Sequence, residues 1–248
     1  MLHRFYAPDL AAGLAVVPLP ADEAEHLTRV LRLKAGEAVV VFDGRGGEFL
    51  ARVESIAQGA VSVRPIERRP TVPEPAVALT LGQAILKSDK MDRVVRDAVM
   101  LGVSAVQPLV SARAEVSRAA LRDRGRTARW QRIVVASVKQ CGRAVVPPVR
   151  EPVDLARLFA SDTSDLRLVL VEPGSEAGSE TGMNLVKARP RPAAATVLIG
   201  PEGGWTPDEV QAARQAGFLP VTLGGRTLRA DAAGVAAIAI LQFVWGDL

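Results

Sequence analysis

Along the first 70 residues the apolar positions fall in short runs, with Ala38–Phe42, Glu48–Val53 and Val61–Arg64 reading as strands. Asp43-Gly44-Arg45-Gly46-Gly47 supplies hairpin turn residues between the first two. Asp22 to Leu31 reads as a short helix that stops near Lys34-Ala35-Gly36. Short strands with a single helix predict a small β-barrel over residues 1–70. Pro65, Pro70, Pro73 and Pro75 then interrupt the pattern beside Arg68 and Arg69. Proline fixes φ and donates no hydrogen bond, so this stretch is expected to be a stiff linker and the domain boundary.

Beyond the linker, strands and helices alternate. Val77–Leu81 reads as a strand, and residues 89–101 as a helix with Met91, Val94, Val95 and Ala98 on one face and Gly102 as its stop. Val103–Val110 is another strand, followed by a basic helical stretch to about Gln140. Three further apolar strands are expected at Leu166–Val171, Thr196–Ile199 and Pro220–Leu223, the last two followed by helices Pro207–Ala216 and Ala232–Val244. Such alternation predicts a mostly parallel sheet with helices on both faces over residues 71–248. Gly174 to Gly182 reads as a polar, mobile loop, and no internal repeat is visible.

Composition narrows the class. Of 248 residues, 48% are hydrophobic and 23% charged, which suits a globular protein and argues against wholesale disorder. The longest apolar run, Val235 to Leu241, is far short of the roughly 20 residues a membrane span needs. The segment Met1-Leu2-His3-Arg4-Phe5 has no apolar signal core, so a cytoplasmic location is expected. One cysteine excludes an internal disulfide framework, and with only two histidines no metal site is expected; Cys141 reads as structural. The net charge of +4 is unevenly spread: residues 111–150 hold ten basic side chains against Glu115 and Asp123, a local excess of +8. Either that block is an electrostatic footprint for phosphate or it is a solvated helix face. Its apolar members Trp130, Ile133, Val134 and Val138 read as core.

In open α/β sheets, ligands bind beyond the carboxyl ends of strands. Three such ends carry the candidate chemistry: Val171-Glu172-Pro173-Gly174, Gly200-Pro201-Glu202-Gly203-Gly204, and Gly224-Gly225-Arg226-Thr227-Leu228-Arg229. Three glycines in five residues allow a ligand to lie against bare main chain in the second turn, which would otherwise be a plain tight βα turn. Thr206, Pro207 and Glu209 then form a capping box with proline at the first helical position. Asp208 and Glu209 at that helix start disfavour a phosphate, so a neutral or cationic ligand is the better reading. No Gly-x-x-x-x-Gly-Lys-Ser/Thr occurs, and glycines 200, 203 and 204 do not fit Gly-x-Gly-x-x-Gly, which counts against P-loop and dinucleotide folds. Arg229 is either a carboxylate partner or a ligand for phosphate or base, and Asp231 is either a helix cap or part of the site.

Taken together, several motifs resemble the RsmE family, the 16S rRNA (uracil-1498-N3)-methyltransferases of the SPOUT superfamily. They are Leu198-Ile199-Gly200-Pro201-Glu202-Gly203-Gly204, Leu223-Gly224 with Leu228-Arg229, and Glu115 through Gln140-Cys141-Gly142-Arg143. In the first part, Arg4-Phe5-Tyr6, His26-Leu27, Arg29-Val30-Leu31-Arg32 and Val41-Phe42-Asp43-Gly44 also match, so the likeness covers nearly the whole chain. It implies a PUA-like β-barrel followed by a SPOUT-type knotted α/β domain, a homodimer, and S-adenosylmethionine as cofactor, with no metal and no membrane. Leu170, Val171, Glu172, Leu198, Gly200, Gly203, Leu223, Gly224 and Leu228 would line the cofactor, and Arg229 would face the transfer site. Where the family commonly has Thr-Glu-Thr or Ala-Glu-Thr, this chain departs with Ala230-Asp231-Ala232, a shorter carboxylate without the hydroxyl; Asp231 is the second catalytic candidate, as an acceptor for the N3 proton, behind Arg229 as stabiliser of the anion. The resemblance implies methylation of uridine N3 in 16S rRNA of the small subunit. Arg4, Arg29, Arg32, Arg113, Arg118, Arg132 and Arg143 are the candidates for contact with that RNA. The competing readings are a SPOUT ribose 2′-O-methyltransferase and a non-catalytic RNA-binding assembly factor.

Overall fold

The computed structural model describes residues 2–10, 15–114, 124–174, 186–187 and 189–248. The chain forms two compact units, Met1–Glu74 with Val135–Val146, and Pro75–Val134 with Pro147–Leu248.

The first unit is a five-stranded sheet in the order β1 (Arg4–Tyr6), β3 (Ala38–Phe42), β4 (Glu48–Ala57), β5 (Ala60–Arg68), β2 (Val17–Pro18). Phe5 from one edge strand and Val17 from the other share one core cluster with Leu27, Val39, Val41, Val53 and Val63. Two edges can meet in one core only if the sheet curls. Register shifts at Leu50/Ala51 and Val53/Ser55 supply the bends. Pro65, expected to open the linker, instead lies inside β5 opposite Ala51, beside the first shift. A missing N–H is tolerated at such an irregularity, and the strand continues to Arg68. The expected helix after residue 21 is divided into α1 (Ala21–Glu25) and a π-helical turn, His26–Val30, closed by the bond from Leu31 N–H to the His26 carbonyl.

The unit also takes back Val135–Val146, which a boundary at residue 70 does not anticipate. Arg4 explains why. Its guanidinium donates to Glu48 and to the carbonyls of Val138, Lys139 and Arg143. Lys139 in turn pairs with Glu23, whose side chain is 5% exposed, and Arg143 pairs with Glu74. Burial raises the Glu23 carboxyl above its ordinary range even with Lys139 in hydrogen-bond contact.

The second unit is a parallel six-stranded sheet in the order β11 (Leu219–Val221), β9 (Leu166–Leu170), β10 (Ala194–Ile199), β6 (Ala78–Ala84), β7 (Ala105–Val110), β8 (Val153–Asp154). Its helices are α2 (Lys90–Met100), α3 (Arg124–Cys141, whose end belongs to the first unit), α4 (Leu155–Ser161), α5 (Pro207–Gln215) and α6 (Ala230–Trp245). Successive residues of β10 point to opposite faces. Leu198 packs in one cluster with Leu158 of α4 and Val210 and Ala213 of α5. Ile199 lies where a side chain on Gly234 of α6 would stand 3.6 Å away. Helices therefore cover both faces, as the alternation predicts. Among the apolar residues of α3, Trp130, Val134 and Val138 are buried. Beyond Gly174, the expected loop to Gly182 lies outside the described residues. No helix among the described residues is long and apolar enough to cross a membrane.

Candidate active site

β9, β10 and β11 are parallel neighbours, so the turns after Leu170, Ile199 and Val221 emerge at one edge of the sheet. Those turns line a cavity of about 1090 Å³.

The turn after β10 is built for close approach. A Cβ on Gly200 would stand 3.3 Å from the Trp205 ring, one on Gly203 would stand 3.3 Å from Cβ of Arg113, and Gly204 has φ +68°. Trp205 donates from its indole nitrogen to the Leu170 carbonyl at 3.1 Å, joining the ends of β9 and β10. Arg113 donates to the carbonyls of Gly203 and Trp205 at 3.0 and 3.3 Å. Thr206 and Glu209 form the expected capping box on α5, and Glu209 also accepts from Ala112 N–H at 2.7 Å. Lys90 holds Glu202 at 2.9 Å. Burial would raise the Glu202 carboxyl, but Lys90 and the main-chain N–H groups of Glu202 and Lys87 outweigh it and hold it below its ordinary value.

The turn after β11 carries the second half of the site. Arg229, with its side chain 74% exposed, is the residue before α6, and its Nε and Nη2 each reach an oxygen of Asp231 at 3.2 Å. This is a fork that fixes the guanidinium plane. Asp231 lies in the first turn of the helix, after the capping position, so it is not the N-cap.

Of the residues expected at the cofactor, Leu170, Val171, Glu172, Gly200, Gly203, Leu223 and Leu228 line the cavity together with Arg229 and Asp231. Two do not. Leu198 is 0% exposed and packs against Gly82, and its main chain is paired with β6 and β9 on both sides. Gly224 turns the chain at φ +80° without forming part of the lining. The lining includes Ile199, Trp205, Lys90 and Arg226, which the motifs do not single out. For Trp205 a signal exists in the sequence: an aromatic directly after the glycine turn and before a helix cap.

Two expected RNA contacts are corrected. Arg4 is half-buried and Arg143 buried, and both serve the structure of the first unit, engaged by Glu48 and Glu74 respectively. Their charge alone does not reveal that burial. Arg113 is exposed yet tied to the glycine turn. Arg29 and Arg32 are exposed on the first unit, Arg29 paired with Glu25, and Arg132 is exposed on α3. Arg118 lies outside the described residues. Among the described residues no group of acidic, histidine or cysteine side chains could hold a metal ion.

Comparison with known proteins identifies this arrangement. Residues 73–242 match the family model of the RNA methyltransferase domain, and residues 19–66 match that of the RNA methyltransferase PUA domain. The ribosomal RNA small subunit methyltransferase E of Synechocystis is 32% identical over 226 residues, 91% of this chain and 72% of its own. That of Aquifex aeolicus is 29% identical over 242 residues, 97% of this chain and 99% of its own. Among solved structures, the ribosomal RNA small subunit methyltransferase E of Neisseria gonorrhoeae bound to S-adenosyl methionine is 34% identical, covers 100% of both chains and superposes with a TM-score of 0.88. The chain therefore belongs to the ribosomal RNA small subunit methyltransferase E family, with an RNA methyltransferase domain preceded by a PUA domain.

Proposed function

We propose that this protein is a cytoplasmic, homodimeric, S-adenosylmethionine-dependent enzyme that methylates N3 of a uridine in 16S rRNA of the small ribosomal subunit. The observation that carries the reading is the fork between Arg229 and Asp231 on the lining of a cavity otherwise built from glycine-rich strand-end turns.

The lining fits the cofactor. Main chain without side chains at Gly200 and Gly203, where a Cβ would crowd Trp205 and Arg113 at 3.3 Å, permits hydrogen bonding at close range. Leu170, Val171 and Leu228 offer apolar surface for a purine ring. When bound, S-adenosylmethionine would supply an electrophilic methyl carbon on a sulfonium, with a neutral thioether as the leaving group.

The remaining work falls to the protein. Uracil N3 lies on the Watson–Crick edge, so the target base must be unpaired or turned out of its stack. Its N3–H is an imide proton that must leave before or as nitrogen attacks carbon. Arg229, placed beside the uracil oxygens, stabilises the developing anion. Both carboxylate oxygens of Asp231 accept from Arg229, which suits Asp231 to orient it; the Arg229 side chain is 74% exposed, and on this reading the imide proton leaves to bulk water. In-line displacement then depends on alignment.

A second copy of the chain is supported by α6. Ala232, Val235, Ala236, Ala239, Ile240 and Phe243 recur at helical spacing on a face that is only partly covered, and Phe243 is 66% exposed. An apolar stripe of this kind suits isologous pairing with itself.

The test is to incubate the protein with small subunits lacking the modification and labelled S-adenosylmethionine, then map the product. Label on uridine N3 is expected. Label on a ribose oxygen, or none, would overturn the reading.

A further inference from the structure

Five cationic side chains line the cavity: Lys90, Arg113, Arg214, Arg226 and Arg229. Four are engaged by the protein itself. Lys90 binds Glu202, Arg113 binds the carbonyls of Gly203 and Trp205, Arg229 forks onto Asp231, and Arg214 also has a partner. Arg226 has none among the described residues. It is exposed, in the run 224–229 in which every residue is exposed, and a Cβ on Gly224 or Gly225 would meet nothing within 4 Å. The turn thus stands clear of the rest of the unit and presents one uncommitted guanidinium.

Size points the same way. Small-molecule sites run to about 300–1,000 Å³, and this cavity, at about 1090 Å³, has room for an acceptor nucleotide beside a cofactor. Arg229 follows Arg226 by three positions, at most about 10 Å of extended chain. That is the scale separating a base from the phosphates that flank its own sugar. We propose that Arg226 binds an RNA backbone phosphate next to the uridine being methylated, so that one turn both grips the strand and supplies the catalytic guanidinium. A cofactor carboxylate is the competing anion, but an exposed cation on a protruding turn matches a polymer lying across the mouth better than a small molecule enclosed within. The assignment rests on the proposed uridine methylation.

The experiment compares wild type, Arg226→Ala and Arg226→Lys for small-subunit binding across a salt series, S-adenosylmethionine binding by calorimetry, and labelled methyl transfer. For Arg226→Ala we expect RNA affinity about tenfold weaker, as for removal of one charge-assisted hydrogen bond, and a salt slope shallower by about 0.7–0.9. Cofactor affinity and the turnover rate at saturating RNA should stay within about twofold, and Arg226→Lys should recover the slope, since a point charge suffices for phosphate. An unchanged slope with wild-type transfer intact would overturn the assignment while leaving the proposed function standing. Weakened cofactor binding with an unchanged slope would hand Arg226 to the cofactor carboxylate and overturn it equally. Absence of methyl transfer by the wild type would instead remove the functional reading on which it rests.

Discussion

The indole nitrogen of Trp205 donates to the Leu170 carbonyl at 3.1 Å while its ring covers the Gly200 Cα, so one side chain ties together the ends of two adjacent strands. Glycine suits that contact, since a Cβ at Gly200 would meet the ring at 3.3 Å and press it back by a few tenths of an ångström. Gly200→Ala therefore shifts the indole or the turn, and cofactor affinity is expected to fall about tenfold, read by calorimetry. Trp205→Phe keeps one aromatic ring but loses the donor and the part of the indole that lies against Gly200; it should cost at least about 1 kcal/mol in stability and weaken the cofactor less than Gly200→Ala. Equal affinities for all three proteins would show that the two turns need no bracing.

The Arg229–Asp231 fork separates two assignments of the proton. If Arg229 stabilises the imide anion and Asp231 only orients it, Arg229→Ala should lower kcat by about 10²-fold, in the range for losing one preorganised donor. Asp231→Asn, which keeps an acceptor at the same place, should cost about tenfold or less. Cofactor affinity should remain within about threefold for both. If Asp231→Asn instead matches Arg229→Ala, the carboxylate itself takes the proton and the orienting role is wrong.

Much of this site is legible in residue order, and the reason is local. Strand length, glycine spacing and the Thr206–Glu209 box depend on neighbours within a few positions, so the three turns and the start of α5 can be read directly. What cannot be read there depends on distant partners. Leu198 belongs to the motif that carries the family likeness, yet strand alternation turns it into the core, while Ile199 beside it lines the cavity. Arg4 and Arg143 carry the same charge as Arg29 and Arg32, but Glu48 and Glu74 lie 44 and 69 positions away in sequence. The short strands Arg4–Tyr6, Val17–Pro18 and Val153–Asp154 escape a reading by pattern because runs of two or three residues show no periodicity.

Asp162 gives a pH-dependent test of the catalytic unit. Burial alone would raise its carboxyl, but hydrogen bonds from Ser164 and Thr196 and the nearby Arg167 outweigh it and hold it below its ordinary value of 3.8. A depressed acid stabilises the fold above its unfolded value, and that stabilisation is lost as pH falls through the folded one. Asp162→Asn should therefore be less stable than wild type by a constant margin from pH 7 down to about 4, of order 1–3 kcal/mol. The margin should narrow progressively as pH falls below 3.8. Urea titrations at pH 7 and at a series of lower pH values measure it; a gap that did not narrow in acid would assign the effect to packing rather than charge.

The partly covered face of α6 predicts a self-association that one charge should break. Phe243, 66% exposed, is the largest apolar side chain on that stripe. Phe243→Asp should shift the protein from dimer to monomer in sedimentation equilibrium and keep a cooperative thermal transition, since little of the ring is buried within one chain, its melting temperature falling only by what association contributed. A monomeric wild type, or a dimer that survives the substitution, would show that this face is not the contact.

Arg4 supplies the contrast between a cation that holds the fold and one that meets RNA. Its side chain is 14% exposed and its donors reach Glu48 and three carbonyls of the returning segment Val135–Val146. Arg4→Ala leaves Glu48 buried and unpaired, which typically costs about 3–5 kcal/mol, and releases the carbonyls of Val138, Lys139 and Arg143 together. Arg29→Ala and Arg32→Ala remove exposed charges, so their melting curves should overlay wild type while the salt dependence of RNA binding becomes shallower by about 0.7–0.9 for each phosphate no longer neutralised. Thermal melts and salt-dependent binding on the same three variants distinguish the two roles. If Arg4→Ala melted like wild type and lost only RNA affinity, its bonds to Glu48 and the three carbonyls would contribute nothing to the fold.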